Sequence, residues 1–196
     1  MRTLPADHGL NEAVAVLRSG GIVAHATETC YGFACDLTNP DVVRKLFLLK
    51  DRPEEVQMSA LFSSLDAAKE WVEWNEKAEE LARKYLPGPL TIILPMRSGK
   101  RIAMNDGQSL GVRISSHPIA QKLAELSGVL LSTTSANLHG EPSAYSAEEI
   151  VAQFKHREVQ PDLILDSGIL QKAPPSTVLV IEGEEVRIVR QGTILI

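Results

Sequence analysis

At 196 residues, with 44% hydrophobic and 23% charged side chains, the chain has a globular composition and enough length to bury a core without disulfide support. A formal net charge of −5 argues against generic nucleic-acid affinity while leaving room for a local basic cleft. Cys30 and Cys35 are the only cysteines, Met1–His8 lacks a signal-peptide pattern, and no apolar run approaches membrane-spanning length, so a cytoplasmic protein without membrane association is expected.

Leu10, Ala13, Val14 and Leu17 recur at helical spacing, and Gly20-Gly21 supplies the stop. Ile22–Ala26 reads as a strand that runs into a hydroxyl-dense turn, Thr27-Glu28-Thr29-Cys30-Tyr31. Thr38-Asn39-Pro40 starts a second helix, whose stripe of Val43, Leu46 and Phe47 delivers Lys50 and Arg52 to its end. Met58–Phe62 reads as a strand, and Ser64–Trp71 and Asn75–Tyr85 as helices, the second stopped by Pro87-Gly88-Pro89. Leu90–Leu94 is a strand, residues 97–109 a loop, and Leu110–Ile114 a strand carrying Arg113. Ser116-His117-Pro118 opens a helix that ends at Gly128.

Val129–Ser132 is a strand leading to a second hydroxyl-rich segment, Thr133-Thr134-Ser135-Ala136-Asn137. Ser146 with Glu149 forms a capping box. Leu163–Leu165 reads as a strand, and Thr177–Ile181 with Val186–Val189 as a closing hairpin. Alternating helices and strands predict one α/β domain over residues 1–196, with a sheet made mixed by that hairpin.

Few side chains suggest chemistry. Lys50 and Arg52 are either a solvated helix end, where cations favour the macrodipole, or a two-cation clamp on phosphate. Arg113, between apolar neighbours in a strand, needs a salt bridge or an anionic ligand. Arg190 ends the last strand as an edge charge. Ser135 and Asn137 can serve the backbone or a ligand equally well. Glycine-rich phosphate loops, the dinucleotide fingerprint and the nucleophile elbow are missing from the sequence. Cys30, Cys35 and His25 are better read as packing residues than as a metal set, so no metal held by the protein is expected.

Several blocks occur in one order: GGIVAHATETCYGFACD from Gly20, KDRP from Lys50, YLPGPLTIIL from Tyr85 and LGVRISSHPIA from Leu110. STTSANLHGEPS from Ser132, LILDSG from Leu163, PSTVL from Pro175 and VRQG from Val189 follow. Together they resemble the YrdC-like threonylcarbamoyl-AMP synthases of the short TsaC type, over nearly the whole chain. The resemblance implies a twisted α/β sheet around a wide, basic cavity. It implies a nucleotidyltransferase that makes threonylcarbamoyl-adenylate and pyrophosphate from L-threonine, bicarbonate and ATP, for threonylcarbamoyladenosine modification of tRNA.

By the same resemblance Lys50 and Arg52 match a K-x-R motif that holds the ATP phosphates and is catalytic. Ser135 and Asn137 match S-x-N in the nucleotide site, with Ser143 nearby and Arg190 on the nucleotide. Thr27 and Arg113 fall at the threonine site, Arg113 on its carboxylate, and Mg²⁺ is implied as an ion carried by the ATP phosphates. Direct binding of tRNA, or of the downstream threonylcarbamoyl-transfer proteins, stays open. So do two alternatives: an RNA-binding module on the same fold, and a paralogue acting on another carboxylate or carbamate. The chain departs from the family pattern at His25-Ala26, at Val56-Gln57-Met58 and at Thr133-Thr134.

Overall fold

A computed structural model describes residues 1–51, 59–103 and 108–196. In chain order the elements begin with β1 (Arg2–Pro5), α1 (Ala6–Arg18), β2 (Val23–Ala26), β3 (Tyr31–Ala34) and α2 (Pro40–Lys50). Next come β4 (Ser59–Leu61), α3 (Leu65–Lys69), α4 (Glu76–Tyr85), β5 (Leu90–Pro95), β6 (Ser109–Arg113) and α5 (Pro118–Leu126). The chain closes with β7 (Leu131–Ser132), β8 (Thr134–Ser135), α6 (Ala147–Phe154), β9 (Leu163–Asp166), β10 (Thr177–Glu182) and β11 (Glu185–Arg190).

The α/β architecture is as expected, but the strands divide between two mixed sheets rather than one. Five strands run in the order β1-β9-β2-β3-β8 and six in the order β11-β10-β5-β6-β4-β7. Side-chain alternation along the strands explains the layering. On β2 and β9, Val23, Leu163 and Leu165 join the α1 and α5 residues Leu17 and Leu123 in one apolar cluster. Ala24, Ala26 and Ile164 face the other way, into a larger cluster with α2, α6 and the inner strands β5, β6 and β10. The site is carried along this larger interior.

Local chemistry sets the helix starts. Asn39 Oδ1 accepts from the backbone N–H groups of Asp41 (3.0 Å) and Val42 (3.4 Å), and proline occupies the first helical position. His117 Nδ1 caps α5 by accepting from Ile119 N at 3.3 Å. The box at α6 is a variant: Ser146 Oγ accepts from Glu149 N, but the Glu149 carboxylate reaches back to the N–H of Tyr145, one residue before the cap.

Three strands escape the sequence patterns, among them β8 in the hydroxyl-rich segment after Ser132. β1 is a short edge strand of exposed and half-buried residues, parallel to β9. β3 follows the hydroxyl-dense turn directly, and its four residues are all buried. Its large side chains, Tyr31 and Phe33, enter the main core while Gly32 and Ala34 alternate with them, so no apolar run announces it. At Gly111 the β6 backbone passes β4 closely: a Cβ would lie 2.2 Å from Ser59 Oγ. None of the helices, among the described residues, is long and apolar enough to cross a membrane.

Candidate functional site

Strand register assembles a cavity of about 420 Å³ from both sheets. On one wall β5 and β6 pair antiparallel with Thr91 opposite Arg113, and β10 lies beside β5 with Val178 opposite Thr91. On the other wall β3 and β8 pair with Gly32 opposite Ser135. Nine of the nineteen lining residues are serine or threonine, and its charged members among the described residues are Arg113 and Arg190.

Arg113 has the salt-bridge partner that its place in an apolar strand calls for. It is buried, and its Nη2 donates to the carboxylate of Glu28 in a close ion pair. Its Nη1 reaches Thr91 Oγ1 at 3.5 Å, and its Nε has no hydrogen-bond partner among the described residues. The other Glu28 oxygen accepts from Ser115 Oγ and from Ser116 N at 3.2 Å. Burial alone would raise the Glu28 pKa, but the Arg113 charge and the Ser115 hydroxyl outweigh it and hold the carboxyl below its ordinary value. Burial also lowers the Arg113 pKa, opposed by Glu28.

Across the floor, Thr91 Oγ1 and Ser176 Oγ lie 3.3 Å apart. Arg190 Nη2 donates to Ser176 Oγ at 2.9 Å and its Nε to the Ser176 carbonyl at 3.0 Å. The Arg190 pKa is lowered first by desolvation and then by the charge of Arg113, so the two guanidiniums repel each other through the cavity.

The predicted residues divide. Thr27, Arg113, Ser135, Ser143 and Arg190 line the cavity. Thr27 does so with its hydroxyl committed to its own turn: Oγ1 accepts from the N–H groups of Thr29 and Cys30, each at 3.2 Å, and donates to the Cys30 carbonyl at 2.6 Å. Lys50 is buried, and its ammonium donates to the carbonyl oxygens of Ser135 and Asn137 (2.8 Å to Asn137) and reaches Asn137 Oδ1 at 3.4 Å. It braces the β8 turn from behind. Asn137 shapes the same turn, with Oδ1 accepting from Ser135 Oγ and Nδ2 donating to the Leu138 carbonyl at 2.9 Å. Arg52 and the Val56-Gln57-Met58 departure lie outside the described residues.

Residue-by-residue reading missed Glu28, Thr91 and Ser176. Glu28 was visible as the lone acid in the hydroxyl-rich turn, but only the fold brings it to Arg113. The cysteines also part: Cys35 is fully buried, its thiol pushed up to about 12 by burial, whereas Cys30 lines the cavity.

The family model for Sua5/YciO/YrdC, described as "Telomere recombination", matches residues 15–192. This chain belongs to that family. A relative from Xanthomonas campestris, named threonylcarbamoyl-AMP synthase, is 37% identical over 147 residues, covering 73% of this chain and 79% of its own. A Methanocaldococcus jannaschii relative, named putative threonylcarbamoyl-AMP synthase, is 34% identical over 177 residues, covering 90% and 82%. The solved structure of P. abyssi Sua5 complexed with L-threonine superposes with a TM-score of 0.85 at 31% identity, over 93% of this chain. The chain spans about half of that archaeal protein, 54% of its length.

Proposed function

We propose that this family member is an L-threonylcarbamoyladenylate synthase, joining L-threonine, bicarbonate and ATP and supplying the product for threonylcarbamoyladenosine formation in tRNA. The observation that carries the reading is the Arg113–Thr91–Ser176–Arg190 wall, set in a fold shared with a Sua5 that was solved with L-threonine. That wall suits a substrate carrying a carboxylate beside a second anionic group.

In the proposed reaction the threonine amine and bicarbonate give a carbamate and water. A carbamate oxygen then attacks the α-phosphorus of ATP; the bond to the bridging oxygen breaks, and pyrophosphate leaves with that electron pair. This is a nucleotidyl transfer, and it needs positioning and charge stabilisation rather than a protein nucleophile. Arg113 takes the threonine carboxylate, Thr27 shapes the turn beside it, and Arg190, Ser135 and Ser143 face the nucleotide. Lys50 holds Ser135 and Asn137 in place through their carbonyl oxygens, and its third N–H, which makes a long contact to Asn137 Oδ1, is the one it offers to phosphate. Arg52 completes the phosphate clamp in this reading.

Mg²⁺ belongs to the proposal as an ion carried by the triphosphate. Among the described residues no three His, Cys, Asp or Glu side chains cluster, while hydroxyls are frequent in the cavity lining, a donor set that would suit an ion held mainly by phosphate. When bound, it neutralises phosphate charge and eases loss of pyrophosphate. A cytoplasmic location, and hand-over to tRNA or to the downstream transfer proteins, complete the reading.

Purified protein given ATP, L-threonine and bicarbonate is expected to release pyrophosphate and form threonylcarbamoyl-adenylate, identified by mass spectrometry, only when all three are present. Absence of both products overturns the proposal.

A further inference from the structure

Glu28 stands in the short connection between β2 and β3, and its carboxylate joins two parts of the chain. One oxygen takes Arg113 Nη2; the other takes the Ser115 hydroxyl and the Ser116 N–H, just before α5. Ser115 Oγ in turn accepts from His117 N at 3.1 Å, so the acid is fastened to the chain that leads from β6 into α5, next to the positive end of that helix. Nothing else grips the guanidinium comparably among the described residues. The Thr91 contact is long at 3.5 Å, and Nε is buried without a partner.

An arginine head held by one acid, with its remaining donors undersatisfied, is prepared for a second oxyanion. We infer that Glu28 is a positioning residue: by fixing the plane of the Arg113 guanidinium, it sets how tightly the cavity takes the carboxylate of an amino-acid substrate. This rests on the proposed amino-acid site. Glu28 does not line the cavity and acts through Arg113.

A second account has the acid merely balancing a buried charge. The two accounts predict opposite signs. If Glu28 only neutralises Arg113, removing its charge leaves a stronger cation and tightens carboxylate binding. If Glu28 positions the fork, removing it lets the head turn and weakens binding, because a bidentate contact depends on orientation more than on net charge.

The test is calorimetry of L-threonine and of ATP, each titrated alone into wild type, Glu28→Asp, Glu28→Gln and Ser115→Ala, with circular dichroism to check folding. Glu28→Asp keeps the charge but, one methylene shorter, cannot span Arg113 and Ser115 together. Both Glu28 variants are expected to raise the threonine Kd by about tenfold or more while the ATP Kd stays within about twofold. Ser115→Ala, which loosens only the far oxygen, is expected to raise it about threefold. Should Glu28→Gln fail to fold, Glu28→Asp and Ser115→Ala carry the test. Wild-type threonine affinity in folded Glu28→Asp, or tighter binding in Glu28→Gln, overturns the inference. Failure of wild type itself to bind threonine is a separate result: it removes the amino-acid site, and this inference with it.

Discussion

On the wall built by β5, β6, β10 and β11, Arg113 and Arg190 reach the cavity beside hydroxyls and a carboxylate; on the wall of β3 and β8, the Lys50 ammonium is turned to backbone oxygens. Both walls use cations that the family resemblance assigns to substrates. Their placement separates them. Arg113 ends an inner strand, so its side chain emerges where the sheet opens, and its planar head stays charged when buried. Lys50 ends α2, whose last residues pack under the β8 turn, and a compact ammonium there can satisfy several carbonyl oxygens at once. One wall presents charge to the cavity, and the other spends charge on holding its own shape.

That contrast breaks most readily at Lys50. Lys50→Met strands the Ser135 and Asn137 carbonyls without their ammonium, and is expected to cost about 3 kcal/mol of stability in urea unfolding, together with activity. Loss of activity at wild-type stability contradicts the bracing role and leaves Lys50 as a ligand contact alone.

Acid acts next, through buried titratable groups in and beside the β2–β3 connection. His25 is completely buried and shares its strand face with Val23; its Nδ1 donates to the Ala26 carbonyl at 3.1 Å, and its Nε2 has no partner among the described residues. Burial lowers its pKa from 6.5 to about 4, with His117 lowering it further and Ala26 and Glu28 opposing. The unfolded chain therefore binds the proton first, so this neutral ring's contribution is complete above pH 6.5 and is lost as pH falls towards 4. Glu28 acts in the same direction lower down: its contribution is present above about pH 4.5 and is lost as pH falls through its lowered folded value. From pH 7 to 5, His25 alone is expected to remove about 2 kcal/mol. His25→Leu should flatten the stability profile over that range, and an unchanged slope in the variant sinks the assignment.

How far these features could be read in advance follows the range of the interactions. Helix starts at Asn39, Ser64, Asn75 and Ser146 were legible because a cap is a bond between residues two or three apart. β3 was not, because Gly32 and Ala34 dilute its apolar signal, and neither was the division into two sheets, which depends on pairings across the chain. Site residues divide in the same way. Arg113 announced itself as a charge in an apolar strand, whereas Glu28 lies 85 residues away from it in the chain and Ser176 looked like any loop serine. Lys50 was recognisable as a motif residue, but its grip on the β8 turn spans 87 residues and needed the fold to be seen.

The division of labour between the walls is tested most directly by steady-state kinetics of Arg113→Lys, which keeps the charge beside Glu28 and removes only the fork. The threonine KM is expected to rise by about tenfold or more, with the ATP KM within about twofold of wild type. A raised ATP KM with an unchanged threonine KM would place the nucleotide, and not the amino acid, on Arg113 and contradict the account.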